Sequence, residues 1–149
     1  MSNEVQGTQR CLARSKNYSV WADYEAVIIR DVKGTTWAVD EMYGNPQATI
    51  ITWDERYAVV VGCGIMICDL MRFGEKTGNG KTWKTTSVIS LMSDPGDTWW
   101  FALIEQVFQD EDRIEIRLAT DLMDPHIGIY SLNPETFELH PVSHGQAIP

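Results

Sequence analysis

Short apolar runs separated by polar turns recur along most of the chain. β-branched or aromatic runs lie at residues 24–29, 35–42, 48–53, 57–62, 64–70 and 84–92. Runs of this kind predict short strands, and the three-residue link at 54–56 between two of them predicts a hairpin. Gly62 and Gly64 predict a tight turn or bulge before the next strand. The pattern therefore predicts a mainly β protein.

The densest apolar run, at residues 99–108, is followed by acids and then by a clear alternation. Residues 113–118, RIEIRL, alternate as a half-buried strand does. Residues 97–110 also fit the 3.6-residue period of a helix that Asp97 could cap. Because the surrounding elements all look like short strands, the pattern favours a strand at this place. One helix at 97–110 is the alternative.

The last part of the chain predicts a further hairpin. Apolar runs at 126–132 and 137–142 are joined by a turn at 133–136 that contains Asn and Pro. Residues 1–16 are mostly polar and are interpreted as an N-terminal tail, and residues 143–149 as a C-terminal tail. A length of 149 residues suits one domain. We therefore expect a single β-rich domain over 17–142.

A repeat with an offset of 62 residues links two of these runs. Ile65, Ile67 and Leu70 recur as Ile127, Ile129 and Leu132. The segments WDERYAVVVGCGIMICDL and DEDRIEIRLATDLMDPHIGIYSLNPETFEL, about a third of the chain, resemble blades of β-propellers. This resemblance implies antiparallel meanders. Because a closed ring of such blades would be unusually small at this length, we expect two antiparallel sheets in an open stack or sandwich, with the six tryptophans between them.

The formal net charge of −9 belongs to one half of the chain. Residues 1–84 carry ten acids and ten bases, whereas residues 85–149 carry eleven acids and two bases. This distribution argues against nucleic acid as a partner, because phosphate binding needs Lys and Arg. It favours a basic protein partner.

Neither a membrane span nor a signal peptide is visible. No segment approaches 18 uncharged apolar residues, and the N-terminus lacks an apolar core. We therefore expect a cytoplasmic protein that does not contact a membrane. Three cysteines do not suit a disulfide framework. Cys63 and Cys68 are five apart and would point to opposite faces of a strand, so they are poorly placed to share a metal.

Two motifs are incomplete on inspection. Residues 74–82, GEKTGNGKT, differ from a phosphate-binding loop because Gly74 is one residue too early and no helix start follows. His140 and His144 have the spacing of a metal pair on a helix, but Pro141 lies between them. We expect neither a cofactor nor a metal site.

Two functional alternatives rest on single features. Cys63 between two glycines suggests a small thiol enzyme, which would require a base such as His126, His140 or His144 beside it. Tryptophans near acids suit a β-sheet module that binds a small ligand or a carbohydrate. His126 follows Asp124-Pro125 and is predicted to lie in a turn.

The acidic residues of the second half form the main candidate site. We interpret them as a docking face for a basic partner; they are Asp110, Glu111, Asp112, Glu115, Asp121 and Asp124. A small acidic domain without a catalytic motif is similar in type to the immunity proteins of bacterial toxin systems. This resemblance implies a non-catalytic inhibitor that covers the active site of a basic toxin, in particular a nuclease. The carboxylates would then take the place of nucleic-acid phosphates.

Overall fold

The computed structural model describes residues 9–72, 82–83, 88–94, 96–110 and 113–142. These residues form fifteen strands and a single turn of 3₁₀ helix, without an α-helix among them. The prediction of a mainly β protein is therefore confirmed. Within the same residues, no helix has the length and apolar character needed to cross a membrane.

The first sheet is an antiparallel meander with one short parallel addition. Its strands are β1 (Gln9–Arg14), β2 (Tyr18–Asp23), β3 (Ala26–Asp31), β4 (Thr36–Glu41) and the parallel β8 (Thr82–Trp83). β1 lies inside the region predicted to be a tail, so that prediction is wrong for residues 9–14. The register of β1 against β2 shifts between Cys11 and Ala13. Leu12 and Ala13 both pack on the core, which anchors an otherwise polar strand.

The middle sheet is a second meander and is the most buried part of the fold. Its strands are β5 (Ala48–Ile51), β6 (Tyr57–Gly62), β7 (Gly64–Asp69) and β9 (Val88–Leu91), and the 3₁₀ turn Leu70–Arg72 follows β7. The predicted hairpin between β5 and β6 is confirmed. Gly64 has a φ of 89°, and a Cβ at this position would lie 2.7 Å from the carbonyl oxygen of Leu91. The turn from β6 to β7 therefore requires glycine.

The third sheet is another meander, and a small ribbon precedes it. The ribbon consists of β10 (Ser93–Asp94) and β11 (Asp97–Thr98), and the sheet of β12 (Phe101–Asp110), β13 (Arg113–Thr120), β14 (Ile129–Asn133) and β15 (Glu138–Pro141). The alternative of a helix at 97–110 is wrong, because β12 pairs with β13 along almost its whole length. His126 lies in the loop before β14, as expected for a turn residue.

Two hydrophobic cores hold the three sheets face to face. The first core joins Val20, Ile29 and Trp37 of the first sheet to Val60 and Met66 of the middle sheet. The second core joins the opposite side of the middle sheet to the third sheet; among its members are Val59, Val61, Ile65, Phe101, Ile116 and Leu118. The protein is therefore a stack of three larger sheets rather than the two that were expected.

The three sheets approach one another most closely along their first strands. Cα atoms of β1 and β5, and likewise of β5 and β12, come within 8 Å of each other. Facing sheets usually lie about 10 Å apart. The three sheets are therefore closer together along their first strands than along their later strands, and we call this arrangement the fan. The repeat in the sequence falls on equivalent elements, because Ile67 and Ile129 belong to the third strands of their meanders.

Candidate functional site

The predicted acidic residues begin at the β12–β13 hairpin. Asp110 ends β12, and its backbone lies opposite Arg113 at the start of β13. Glu111 and Asp112, which connect the two strands, lie outside the described residues. Of these three acids, the structure therefore places only the backbone of Asp110, at one end of the third sheet.

The remaining predicted acids are spread along β13 and beyond it. Glu115 lies within β13, and its carboxylate accepts hydrogen bonds from Arg117 at 2.9 and 3.0 Å. Asp121 follows β13 at the opposite end, about 23 Å from Arg113 for a strand of this length. Its carboxylate accepts a hydrogen bond from the backbone N–H of Met123 at 2.9 Å. The six acids therefore do not form one compact face.

Asp124 is a buried structural anchor. Its carboxylate has no exposed surface and accepts hydrogen bonds from the backbone N–H of Trp100 at 2.8 Å and of His126 at 2.7 Å. The imidazole Nδ1 of His126 lies 2.9 Å from the same carboxylate. Burial raises the pKa of Asp124, but these hydrogen bonds outweigh it and hold the pKa below its ordinary value. We therefore correct the prediction that Asp124 belongs to an exposed acidic face.

His126 joins this anchor to an aromatic cluster. Its ring stacks on Trp99 with centroids 3.9 Å apart and planes inclined by 11°. The hydroxyl of Tyr130 donates a hydrogen bond to the carbonyl oxygen of His126 at 2.7 Å. A carboxylate that orients an imidazole also occurs in hydrolytic triads. In the described part of the chain, however, no Ser, Thr or Cys side chain is hydrogen-bonded to this imidazole.

Cys63 and Cys68 lie in buried surroundings that raise the pKa of a thiol. Cys63 is buried at the turn from β6 to β7, and this burial raises the pKa of its thiol despite a hydrogen bond from Thr98. Cys68 is fully buried, and burial raises the pKa of that thiol as well. A raised pKa reduces the thiolate fraction at neutral pH, and the thiolate is the nucleophile. The structure therefore gives the thiol-enzyme alternative no support.

The two motifs that the sequence analysis found incomplete lie largely outside the described residues or on a strand. His140 lies on strand β15, with its Nε2 atom 3.8 Å from Glu138, and His144 is outside those residues. The sequence GEKTGNGKT falls almost wholly outside them too. Across the parts of the chain that are described, no group of three His, Cys, Asp or Glu side chains could hold a metal ion.

A groove of about 1080 Å³ lies where the middle and third sheets meet. It is lined by the β5–β6 turn, by β13 and by the β14–β15 hairpin. Its carboxylates come from Asp54, Glu115, Glu135 and Glu138, and its bases are Arg117 and His140. Acids therefore dominate the groove.

Trp53 is the exposed aromatic residue of this groove. It stands in the β5–β6 turn with 61% of its surface exposed. Gln106 of β12 fixes the backbone beneath it, because the Trp53 N–H donates to Gln106 Oε1 at 2.8 Å and Gln106 Nε2 donates to the Ile51 carbonyl oxygen at 3.1 Å. A side chain of the third sheet thus holds a turn of the middle sheet in place.

The same turn is also tied to the first sheet. The carboxylate of Glu55 accepts hydrogen bonds from the Ser15 hydroxyl and, at 2.8 and 2.7 Å, from the backbone and side-chain amides of Asn17. Burial raises the pKa of Glu55, but these hydrogen bonds and the nearby Lys16 lower it below the ordinary value. The turn that carries Trp53 is therefore held from both neighbouring sheets.

The expectation that tryptophans fill the space between sheets holds for only some of them. Trp37 is buried in the first core and Trp99 packs against the second. Trp53 and Trp100 are exposed instead. The available sequence signal for a site was the tryptophan at the tip of a predicted hairpin, because a turn residue has no core to fill.

No family model matches this chain, and no curated protein is significantly similar to it in sequence.

Proposed function

We propose that this chain is a non-catalytic, acidic inhibitor that binds a basic protein, in the manner of immunity proteins that cover the active site of a toxin. The observation that carries the proposal is the exposed Trp53 within a groove dominated by carboxylates. An aromatic anchor surrounded by charged side chains is a common composition of protein-binding hot spots.

The position of Trp53, exposed on an ordered turn, supports a role in partner binding rather than in core packing. Its backbone is held by Gln106 from one side, and the adjacent Glu55 is held by the β1–β2 turn from the other. A side chain on a turn that is already ordered loses less conformational entropy when it binds. The ring is thus preorganised for a partner.

The charge of the groove indicates the chemistry of the partner. Asp54, Glu115 and Glu135 line the groove, and in the sequence the acids at 110–112 precede its residue Ile114. A nuclease binds phosphates with Lys and Arg, so carboxylates in this arrangement can occupy the same positions. We propose a nuclease toxin that acts in the cytoplasm as the partner. Its association should be fast at low salt and slower as salt rises.

Affinity capture followed by a binding measurement tests this proposal. The immobilised chain is exposed to an extract of the producing cells, and the captured basic protein is purified and titrated against variants. We expect W53A to weaken its Kd at least about 30-fold, as the loss of a hot-spot aromatic does. D54K/E135K and a reversal of all three charges at 110–112 should lower the association rate and its salt dependence.

Matched controls lie at the opposite end of the strands. Tyr43 is also a highly exposed aromatic residue and Glu41 is an exposed acid, so Y43A and E41K should leave the Kd unchanged. The proposal fails if the capture yields no basic protein. It also fails if the Kd is insensitive to both W53A and the charge reversals.

A carbohydrate-binding module is the second candidate, and the exposure of Trp53 favours it too. An open tryptophan ring can stack on a sugar, and Asn133, Glu135 and Glu138 in the same groove could bond to its hydroxyls. Titration of purified chain with soluble oligosaccharides, followed by Trp fluorescence, separates the two candidates. Saturable binding that W53A abolishes would favour a sugar ligand, whereas no change would leave the protein partner.

A further inference from the structure

Among the residues that the structure describes, two sheet faces of the stack have no other sheet packed against them. The middle sheet is covered on both sides, but the first and third sheets each pack on another sheet through one face only. We call the two uncovered surfaces the first outer face, on the first sheet, and the third outer face, on the third sheet. Strand register defines which residues each contains.

The first outer face consists of an apolar row beside a basic row. The apolar row crosses the sheet as Cys11, Trp21, Ile28 and Ala38. Further along β1, the second row is Arg14, Ser19, Arg30 and Thr36. The two guanidinium groups stack on the ring of Trp21, with Cζ atoms 5.7 and 4.9 Å from its centroid. This face therefore presents an aromatic residue bordered by positive charge.

The third outer face has the same order with acidic residues in place of basic ones. Its apolar row is Leu103, Ala119 and Ile129. Two charged rows lie further along β12. The first row is Glu105, Arg117, Ser131 and His140. The second row is Val107, Glu115, Asn133 and Glu138. Three carboxylates outnumber one arginine on this face. On both faces the apolar row therefore lies nearer the start of the sheet's first strand, β1 or β12, and the charged rows lie nearer its end.

We propose that a second copy of this chain docks here, with the first outer face of one copy against the third outer face of the other. When the third sheet of one copy faces the first sheet of the other, with β12 and β1 running parallel, the apolar rows of the two faces meet. In that register the row of Arg14 and Arg30 faces the row of Glu105 and Arg117, and the row that holds Glu115 and Glu138 lies next to it. Apolar burial supplies the attraction, and the complementary charges fix the register.

The architecture also indicates how many copies take part. A contact between two different patches either closes a ring or continues as a filament. Sheets arranged radially around an axis close with about four to eight members. Each copy has three larger sheets, so two copies supply six. This number lies within that range and gives a closed ring of six sheets. The β5–β6 turn with Trp53 belongs to neither outer face, but Glu115 and Glu138 line the groove and also belong to the third outer face, so a basic partner in the groove would compete with the second copy.

Sedimentation velocity of the purified chain over a range of concentrations tests the oligomeric state. We expect a species of twice the chain mass at high concentration, and the variant L103R should reduce it to one chain. F108R is the matched control, because Phe108 lies on the same strand and is 65% exposed, against 64% for Leu103. Phe108 belongs to none of the three rows of the third outer face. A wild-type chain that stays monomeric overturns the proposal, and so does a dimer that L103R leaves intact.

Cross-linking tests the orientation. Cys11 is exposed in the apolar row of the first outer face, whereas Cys63 and Cys68 are buried. A short bismaleimide should therefore link Cys11 of one copy to the new thiol of L103C in the other and give a covalent dimer. The variants F108C and C11S/L103C should give none. Equal cross-linking of L103C and F108C would show that the two faces do not meet in this register.

Discussion

Among the single residues, Asp124 shows how a buried charge is kept in this fold. Its carboxylate lies close to two backbone N–H groups and one imidazole nitrogen, from the residue before β12 and from the loop after β13. The free energy of desolvation is offset because every one of these donors points at a charged acceptor. Trp100, His126 and the stacked Trp99 are therefore positioned by one side chain.

Replacement by asparagine should be costly at neutral pH. D124N keeps the shape but loses the charge, so we expect the free energy of unfolding to fall by about 2 kcal/mol, as for hydrogen bonds to a charged group. The pKa of Asp124 is lower in the folded state, so its contribution is complete above about pH 4 and is lost as the pH falls through the folded pKa. Urea unfolding at several pH values measures this.

The neighbouring Asp121 provides the control for that experiment. It accepts one hydrogen bond, from the backbone N–H of Met123, and is exposed. D121N should change the free energy of unfolding by less than about 1 kcal/mol. A D124N loss that is no larger than this, or that stays constant down to acidic pH, would contradict the anchoring role.

Among the elements, the β5–β6 turn depends on a side chain from another sheet. Gln106 is 53 residues distant from Trp53 in sequence, yet it supplies the acceptor for its N–H and a donor to Ile51. The turn is consequently a junction between the middle and third sheets. Its conformation is set by a tertiary contact as well as by its own residues.

Replacement of the Gln106 side-chain amide should weaken partner binding more than it lowers the stability of the fold. Q106L retains the side-chain size but leaves one N–H and one carbonyl unpaired, so we expect about 1–2 kcal/mol less stability. The Kd for the partner should rise further, because the turn that carries Trp53 loses its support. Calorimetric binding and urea unfolding of the same sample compare the two losses. Q47L, at an exposed glutamine with one local hydrogen bond, is the control.

The outcome that contradicts this role is specific. If Q106L binds the partner as well as wild type while W53A does not, the turn keeps its geometry without the amide. The interaction between the sheets at Gln106 would then serve stability alone.

In the whole molecule, the middle sheet belongs to both hydrophobic cores. Val60 faces the first sheet and Val59 faces the third, and both are completely buried. Loss of packing on either side therefore weakens the same strand, β6. The three sheets should unfold together.

Two valine substitutions test this cooperativity. V60A and V59A each remove buried methyl groups and should lower the free energy of unfolding by about 2 kcal/mol. In both variants, far-UV circular dichroism and Trp fluorescence should report one shared transition. V32A, at an exposed turn position, should have almost no effect. Transitions that separate in V60A would show that the cores unfold independently.

The sequence predicted those elements that are governed by local chemistry. RIEIRL alternates because β13 has one face in the second core, and the polar link at 54–56 closes the β5–β6 hairpin as its composition indicates. The first run of β12 looked helical for a physical reason. Its apolar residues occupy both faces of the strand, because Ile104 packs on the second core and Leu103 is exposed on the other face, so the run lacks the alternation of a half-buried strand.

Features that depend on distant residues were not predictable in this way. β1 is mostly polar and is recognisable only through its pairing with β2. Asp124 has the composition of a surface acid, and its burial depends on donors that the β12 entry and the following loop bring to it. The groove at Trp53 is built from the β5–β6 turn of one sheet and from β13 and the β14–β15 hairpin of another, so its lining does not follow from one local pattern.

The buried middle sheet has a consequence for how the chain is made. While the ribosome adds residues from the N-terminus, the first and middle sheets can form before the third exists. The side of β6 and β7 that carries Val59, Val61 and Ile65 then remains open to water until β12 to β14 have emerged. During that interval the nascent chain exposes a strongly apolar β surface. Its yield in the cell should therefore depend on chaperones that hold this surface until synthesis is complete.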